Sequence, residues 1–252
     1  MLIVVPTENV PLHPLLVESP ESPLGDVRVW RAQIDSCSPK QFDELRAHLD
    51  SEENARAARF KFVRDQKNYI VTRGLLRSLL GALLNQDPAK LRFEYGARGK
   101  PRLASGSSSL VLRFNISHSN GWAMFAISDA VEVGIDLESM ARLKRTEDDL
   151  IHLAARILSP NELAVWEALP DSASRPKAFL RAWTRKEAYA KATGLGIFHD
   201  LSSIELVLDG AAPRSSLRLH SGRETEHESG WWILQDLSAP EGFAAALAFA
   251  EG

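Results

Sequence analysis

The chain has 252 residues, 44 % of them apolar and 25 % charged, with a formal net charge of −3. That is an ordinary soluble composition, long enough for one large domain or two of roughly 125 residues, and it argues against general affinity for nucleic acid or membrane. The single cysteine, Cys37, excludes an internal disulfide, and no apolar run reaches the roughly 18 residues that a membrane span needs. The opening Met1-Leu2-Ile3-Val4-Val5 is too short for a signal-peptide core and has no basic lead, so a cytoplasmic protein is expected.

Residues 1–26 form a proline-rich N-terminal arm with Pro6, Pro11, Pro14, Pro20 and Pro23 and little periodicity, read as an extended segment laid over the body or a loose leader. Val27 to Ala32 alternates as a strand. Ser38-Pro39-Lys40-Gln41 opens a helix with a Ser N-cap, Pro at the first helical position and Gln at the capping-box position. Cys37 sits in the loop leading into that helix, a poor setting for a nucleophile. A second helix is expected over about Ser51 to Phe62, carrying Arg56 and Arg59, and a third from Asp65 to about Leu84. Ile70, Leu76, Leu79, Leu80 and Leu83 supply the third helix's apolar stripe, which leaves Lys67, Arg73 and Arg77 as a solvated face.

Arg92 to Tyr95 reads as a short strand, followed by the basic loop Gly96-Ala97-Arg98-Gly99-Lys100-Pro101, which lacks the spacing of a P-loop. After the Ser/Gly-rich turn at 105–109, a strand from Leu112 runs into Asn115-Ile116-Ser117-His118-Ser119. That run gathers hydroxyl and imidazole groups where the chain would turn over a ligand, and Trp122 to Ile127 follows as a buried strand. In Val133 to Glu138, Val133, Ile135 and Leu137 alternate with Gly134, Asp136 and Glu138, the period-2 signature of a strand with one buried face. The alternation puts Asp136 and Glu138 on one face roughly 7 Å apart. Two readings are open there: unrelated acids on a solvated face, or ligands of a hard cation such as Mg²⁺.

Thr146 to Leu158 is helical, Ser159-Pro160-Asn161-Glu162 opens another helix with a capping box, and Pro176 to Thr193 is a long helix ending at Gly194 and Gly196. Ile204 to Leu208, Ser216 to His220, Trp231 to Leu237 and Phe243 to Ala250 are expected strands. The last two echo the pair beginning at Phe114. The expected architecture is therefore α+β: two similar tandem subdomains, 27–130 and 131–252, each a small, mainly antiparallel sheet packed with helices and related by a pseudo-twofold. The active site would lie in the cleft between them. In the long helix Glu187 and Lys191 are four apart and share a face, which a simple helix-stabilising pair would also explain.

Gly99-Lys100-Pro101, Asn115-Ile116-Ser117-His118-Ser119, Gly134-Ile135-Asp136-Leu137-Glu138 and Trp183-x-x-Lys186-Glu187-Ala188-x-x-Lys191, in that order, resemble the motifs of the 4′-phosphopantetheinyl transferases, in particular the monomeric tandem-repeat type. The resemblance runs from about Val27 to the C-terminus. It implies transfer of the phosphopantetheine arm of coenzyme A to a serine of an apo acyl or peptidyl carrier protein, with release of adenosine 3′,5′-bisphosphate. Fatty-acid, polyketide and nonribosomal-peptide carriers would all qualify. It further implies Mg²⁺ held by Asp136, Glu138 and Glu187, and a coenzyme A site formed by Arg56, Lys100, Ser117, His118, Asp136, Lys186 and Lys191, with Arg56 and His118 near the 3′-phosphate. Glu187, directly or through a metal-bound water, would take the proton from the carrier serine, and Lys191 would steady charge on the phosphoryl or leaving group. Where this family often has Ser, the chain has Ala188. The alternatives are a noncatalytic module binding coenzyme A or carrier protein, and a Mg²⁺-dependent diphosphate hydrolase.

Overall fold

The computed structural model describes residues 12–96, 99–104, 110–143, 146–170, 174–194, 200–206, 214–218 and 231–251. In chain order the elements are β1 (Val17–Glu18), β2 (Val27–Gln33), α1 (Pro39–Ala47), α2 (Ser51–Ala57), α3 (Val63–Leu84), β3 (Phe93–Tyr95), β4 (Pro101–Leu103), β5 (Arg113–Ser119), β6 (Trp122–Ser128), β7 (Val133–Ser139), α4 (Glu147–Ile157), α5 (Pro160–Glu167), α6 (Ser174–Thr193), β8 (Arg214–Arg218), β9 (Trp231–Leu237) and β10 (Phe243–Ala250). The fold is α+β. One antiparallel sheet runs β1-β2-β6-β5, a second runs β7-β10-β9-β8, and β3-β4 forms a short ribbon.

Strand periodicity builds the layers. On β2 and β6, Trp30, Ala32, Ala123, Phe125 and Ile127 face α3, joining Val71, Leu75, Leu76, Leu79 and Leu80 in one core. The opposite faces of the same strands, with Val27, Val29, Met124 and Ala126, pack against Val133, Ile135, Leu137, Leu247 and Phe249 of the second sheet. The alternate residues of that sheet, Trp232, Leu234, Ala246 and Ala248, pack under α6 on Ala188, Tyr189 and Ala192. The order through the molecule is therefore helix, sheet, sheet, helix, with a 22-residue α3 on one outside and a 20-residue α6 on the other. Burial of this kind, at about 25 cal/mol per Å² of apolar surface, supplies most of the stabilisation.

The two sheets meet along β5 and β7 through side chains. β5 pairs with β6 and β7 with β10, which leaves one edge of each strand open. Asn115, Ser117 and Ser119 recur with period 2 and reach across that gap. Ile135 N–H donates to Asn115 Oδ1 at 3.0 Å, Leu137 N–H to Ser117 Oγ at 3.2 Å, and Ser139 N–H to Ser119 Oγ at 3.2 Å. Three edge donors that would otherwise be buried without partners are thus satisfied. The run Asn115 to Ser119 is consequently an ordered strand rather than the turn expected from its polarity; the turn follows at Asn120 and Gly121, both at positive φ.

Among the described residues, four helices begin with the reciprocal capping box: Ser38 with Gln41, Asp50 with Glu53, Thr146 with Asp149 and Ser159 with Glu162. α3 begins differently, with Phe62 at the N-cap and no side-chain cap, a choice that forgoes about 1 kcal/mol.

Several expectations are corrected. α2 stops at Ala57 instead of near Phe62, and α3 starts at Val63. Pro101–Leu103 forms a strand that was not foreseen. Residues 204–206 are not in a strand, and 207–208 lie outside the described residues. Also outside are the turn at 105–109, Ala97 and Arg98 of the basic loop, Gly196, His220 and the first eleven residues of the arm; of that arm, β1 pairs with β2 at the sheet edge. Arg73 and Arg77 are not a solvated face: both are buried, because Glu53 and Asp50 of the α2 region lie against α3.

Candidate active site

β7 and α6 place the central carboxylates. The Gly134, Asp136, Glu138 side of β7 is not solvated, since α6 lies on it. A Cβ on Gly134 would sit 2.0 Å from the Ala188 carbonyl oxygen and 2.4 Å from the Ala192 backbone nitrogen, so only glycine permits the contact. Small residues at 134, 188 and 192 bring the helix onto the strand. Glu187 and Lys191, one turn apart, then stand over Asp136.

The cleft has a volume of about 650 Å³ and draws its walls from both sheets' surroundings. Arg56, Tyr69, Thr72, Arg73 and Tyr95 line it from one side. Lys100, Asn115, Ser117 and His118 come from β5 and the loop before β4; Asp136, Glu138, Arg142, Trp183, Glu187 and Lys191 complete it. A neighbouring cavity of about 650 Å³ shares Arg56, Tyr69 and Tyr95 with it.

At the floor, Lys191 Nζ donates to Asp136 Oδ1 at 2.6 Å and to Ser117 Oγ at 3.0 Å, while Ser117 Oγ donates to Asp136 Oδ1 at 3.0 Å. Lys191 thus turns to the strand, and its ion pair is with Asp136 rather than with Glu187. The other carboxylate oxygen, Asp136 Oδ2, is buried with no hydrogen-bond partner. Glu138 accepts from Ser119 Oγ at 3.1 Å and is ion-paired with Arg142, whose guanidinium lies 5.6 Å over the Trp183 ring. Glu187 is half-buried. Burial raises its pKa above the ordinary glutamate value, and Asp136 raises it further; Lys191 and the nearby Trp183 indole oppose, and Glu138 adds a last push upward.

His118 lines the cleft with its ring partly in solvent. Its pKa is lowered, first by the surrounding protein and then by Lys191, with Asp65 opposing, so the unliganded ring favours its neutral form. Lys100 Nζ bonds Glu132 Oε2 at 2.9 Å, the Ala192 carbonyl at 2.9 Å and the Val133 carbonyl at 3.3 Å, tying the loop before β4 to the start of β7 and the last turn of α6. Arg56 stacks 5.6 Å from the Tyr69 ring centroid.

The structure therefore gathers Arg56, Lys100, Ser117, His118, Asp136, Glu138, Glu187 and Lys191 in one cleft. It does not bring Lys186 there. Lys186 is fully buried on another face of α6, paired with Glu162 Oε2 at 2.5 Å and donating to the Ile157 and Leu201 carbonyls. Helical periodicity signals this, because Lys186 falls with Phe179, Ala182 and Tyr189 on the apolar side. Tyr69, Arg73 and Arg142 were missed as lining residues. Tyr69 and Arg73 share one α3 face at i, i+4, which could have marked them, whereas Arg142 lies in a short 3₁₀ turn after β7 and carried no periodic signal. Among the described residues no three carboxylate, His or Cys side chains stand close enough to form a ready metal cluster. The donors facing the cleft are oxygens nonetheless, and Asp136 Oδ2 has lone pairs without a partner, a set that suits a hard cation.

Comparison with known proteins identifies the family. The family model of the 4′-phosphopantetheinyl transferase superfamily matches residues 132–248, and that of the 4′-phosphopantetheinyl transferase N-terminal region matches 35–130. The chain is 37 % identical over 225 residues to 4′-phosphopantetheinyl transferase HetI of Nostoc sp., covering 89 % of this chain and 88 % of that protein. It is 32 % identical to 4′-phosphopantetheinyl transferase psf-1 of Bacillus pumilus over 181 residues, 71 % and 72 % of the two chains. To the human L-aminoadipate-semialdehyde dehydrogenase-phosphopantetheinyl transferase it is 29 % identical over 229 residues, 87 % and 73 %. The chain belongs to the 4′-phosphopantetheinyl transferase superfamily. It is a transferase of that class, moving the phosphopantetheine arm of coenzyme A to carrier proteins.

Proposed function

We propose that the chemistry of this transfer is carried by Glu187, Asp136, Glu138 and Lys191 around a Mg²⁺ ion, with the adenosine end of coenzyme A toward Arg56 and His118. The observation that carries the reading is the buried Asp136 Oδ2, left without a hydrogen-bond partner on a residue that lines the cleft together with Glu138 and Glu187. Asp136, Glu138 and Glu187 would hold the cation, which when bound supplies positive charge to a pyrophosphate. Glu138 would exchange Arg142 for it.

The carrier serine Oγ attacks the phosphorus that bears the pantetheine arm. A bond from Oγ to that phosphorus forms, the bridging P–O bond to the adenosine side breaks, and adenosine 3′,5′-bisphosphate leaves. Glu187 would accept the serine proton, the part a carboxylate held on a rigid helix beside the reacting phosphorus can play. Lys191, beside Asp136, offsets charge on the transferring phosphoryl group. Ser117 holds both of these side chains in place. Lys100, at the rim, would trade Glu132 for a phosphate, and His118 would gain a proton as it meets the 3′-phosphate. The reading gives Lys186 a structural part only.

Each half, with its seam between 130 and 131, acts as one wall of the site, so a monomer suffices, working in the cytoplasm on an acyl or peptidyl carrier without nucleic acid or membrane. No described helix is long and apolar enough to cross a membrane. The test combines purified protein, coenzyme A, Mg²⁺ and apo carrier protein, followed by intact mass. Gain of the phosphopantetheine arm at the carrier serine is expected. Coenzyme A breakdown without a carrier would point to a hydrolase, and neither change to a binding module. Calorimetric titration of Mg²⁺ into the Asp136→Ala protein, expected to show weakened binding, tests the cation directly.

A further inference from the structure

We propose that the exposed segment 59–64, between α2 and α3, is the surface on which the carrier protein docks; this rests on the transferase reading above. Phe62 is 61 % exposed and Val63 82 %, with Phe60 beside them at 38 %. They neighbour one another at a helix start whose cap position holds Phe62 where the other capped helices hold Ser, Thr or Asp. An apolar cluster kept at the surface, at a position where a polar residue would stabilise the helix, marks an interaction site.

The cluster is basic as well as apolar. Arg59, Lys61 and Arg64 interleave with the apolar residues in a chain of net charge −3. Arg59 and Lys61 have no carboxylate partner among the described residues, and Lys61 lies 5.6 Å over the Phe62 ring. The segment is also continuous with the cleft wall. Arg64 donates to Asn120 Oδ1 at 2.9 Å, in the turn two residues beyond His118, and the Phe60 ring packs 5.4 Å from Tyr69, which lines the cleft. Arg59 and Phe60 line the neighbouring cavity, whereas Phe62 and Val63 line neither, which leaves that apolar pair open to a partner outside the cleft.

The acceptor is a protein whose serine has to reach Glu187 across this rim. The fitting partner is therefore a carrier whose serine is flanked by an apolar contact and carboxylates. Such a surface brings apolar anchors to the centre and basic groups to steer an acidic partner.

The test uses Phe62→Ser/Val63→Ser and, separately, Lys61→Glu, each checked by circular dichroism and by calorimetric coenzyme A binding. KM for a carrier that the parent protein modifies is expected to rise about tenfold or more in the double variant, the scale of losing an interface anchor. Its kcat at saturating carrier and its coenzyme A affinity should stay near the parent values. Binding of the same carrier with its serine changed to alanine, measured without coenzyme A, should weaken in parallel, and for Lys61→Glu the loss should shrink at high salt. Unchanged carrier KM and carrier binding in the double variant would overturn the proposal while leaving the transferase reading intact. So would binding of the segment to anionic vesicles or RNA in place of the carrier. Failure of the parent protein to modify any carrier would instead remove the reading beneath it.

Discussion

Two groups of buried charges flank the cleft, and they differ in how fully they are satisfied. Under α2 and α3, Glu53 accepts from Arg73 and from Arg77 Nε at 2.6 Å. Arg77 also donates to Asp50 at 2.7 Å and to the Pro88 and Leu91 carbonyls, and Arg73 to the Tyr95 hydroxyl at 3.0 Å. Between β7 and α6, Asp136 keeps a buried oxygen without a partner, and Glu187 holds its proton more firmly than an ordinary glutamate. A closed network fixes a structure, here the placement of α2 and its Arg56. An open one keeps capacity for a ligand, at a cost in stability.

Substitutions should split along that line. Glu53→Gln removes the countercharge from two buried guanidinium groups, so thermal or urea unfolding should show about 3–5 kcal/mol lost. Turnover per folded molecule should stay close to the parent value; a collapse of turnover in the folded fraction would erase the distinction. Glu187→Gln should do the opposite. Turnover falls about a hundredfold or more, not restored by saturating Mg²⁺, while the melting temperature holds or rises. Full single-turnover transfer by that variant would remove Glu187 from the chemistry.

Arg56→Ala and His118→Ala test the outer end of the cleft. Each should cost about 1.5–3 kcal/mol of coenzyme A affinity, as charge-assisted hydrogen bonds do, and much less with 3′-dephospho-coenzyme A. Equal losses on both ligands would make the two residues structural.

The finest comparison is a titration. Because the folded-state pKa of Glu187 is raised, the folded protein keeps this proton where the unfolded chain has lost it. Stability from this group is therefore full below the unfolded pKa and is lost as pH rises through the folded one. In metal-free protein, carbon-13 NMR of the Glu187 carboxyl should show its pKa falling in Asp136→Asn and rising in Lys191→Met. Shifts of opposite sign would contradict the charge arrangement of the cleft.

What the sequence disclosed follows from range. Capping residues act within four positions, and the starts at Ser38 and Ser159 are where the chain spelled them. Period-2 alternation is likewise local, so the common face of Asp136 and Glu138 was legible, and the ordered motifs supplied the cleft. The burial of Arg73 and Arg77 was not, because their partners Glu53 and Asp50 lie about 20 or more residues away and only packing of α2 on α3 joins them. Lys186 and Lys191 look alike as letters; a rotation about the α6 axis puts one in the core and the other in the cleft. The edge-bridging role of Asn115, Ser117 and Ser119 was hidden for the same reason, since β7 begins fourteen residues after β5 ends.

That bridging has a further consequence. The hydroxyls of Ser117 and Ser119 serve two masters at once, the amides of Leu137 and Ser139 and the carboxylates of Asp136 and Glu138. Parting of β5 from β7 therefore releases the amides to solvent and frees the carboxylates in a single event. Deuterium uptake at Ile135, Leu137 and Ser139 becomes a native clock for the cleft floor, ticking at the rate at which the seam breathes. Ligands that steady the floor should slow that clock, even though none of the three amides touches them.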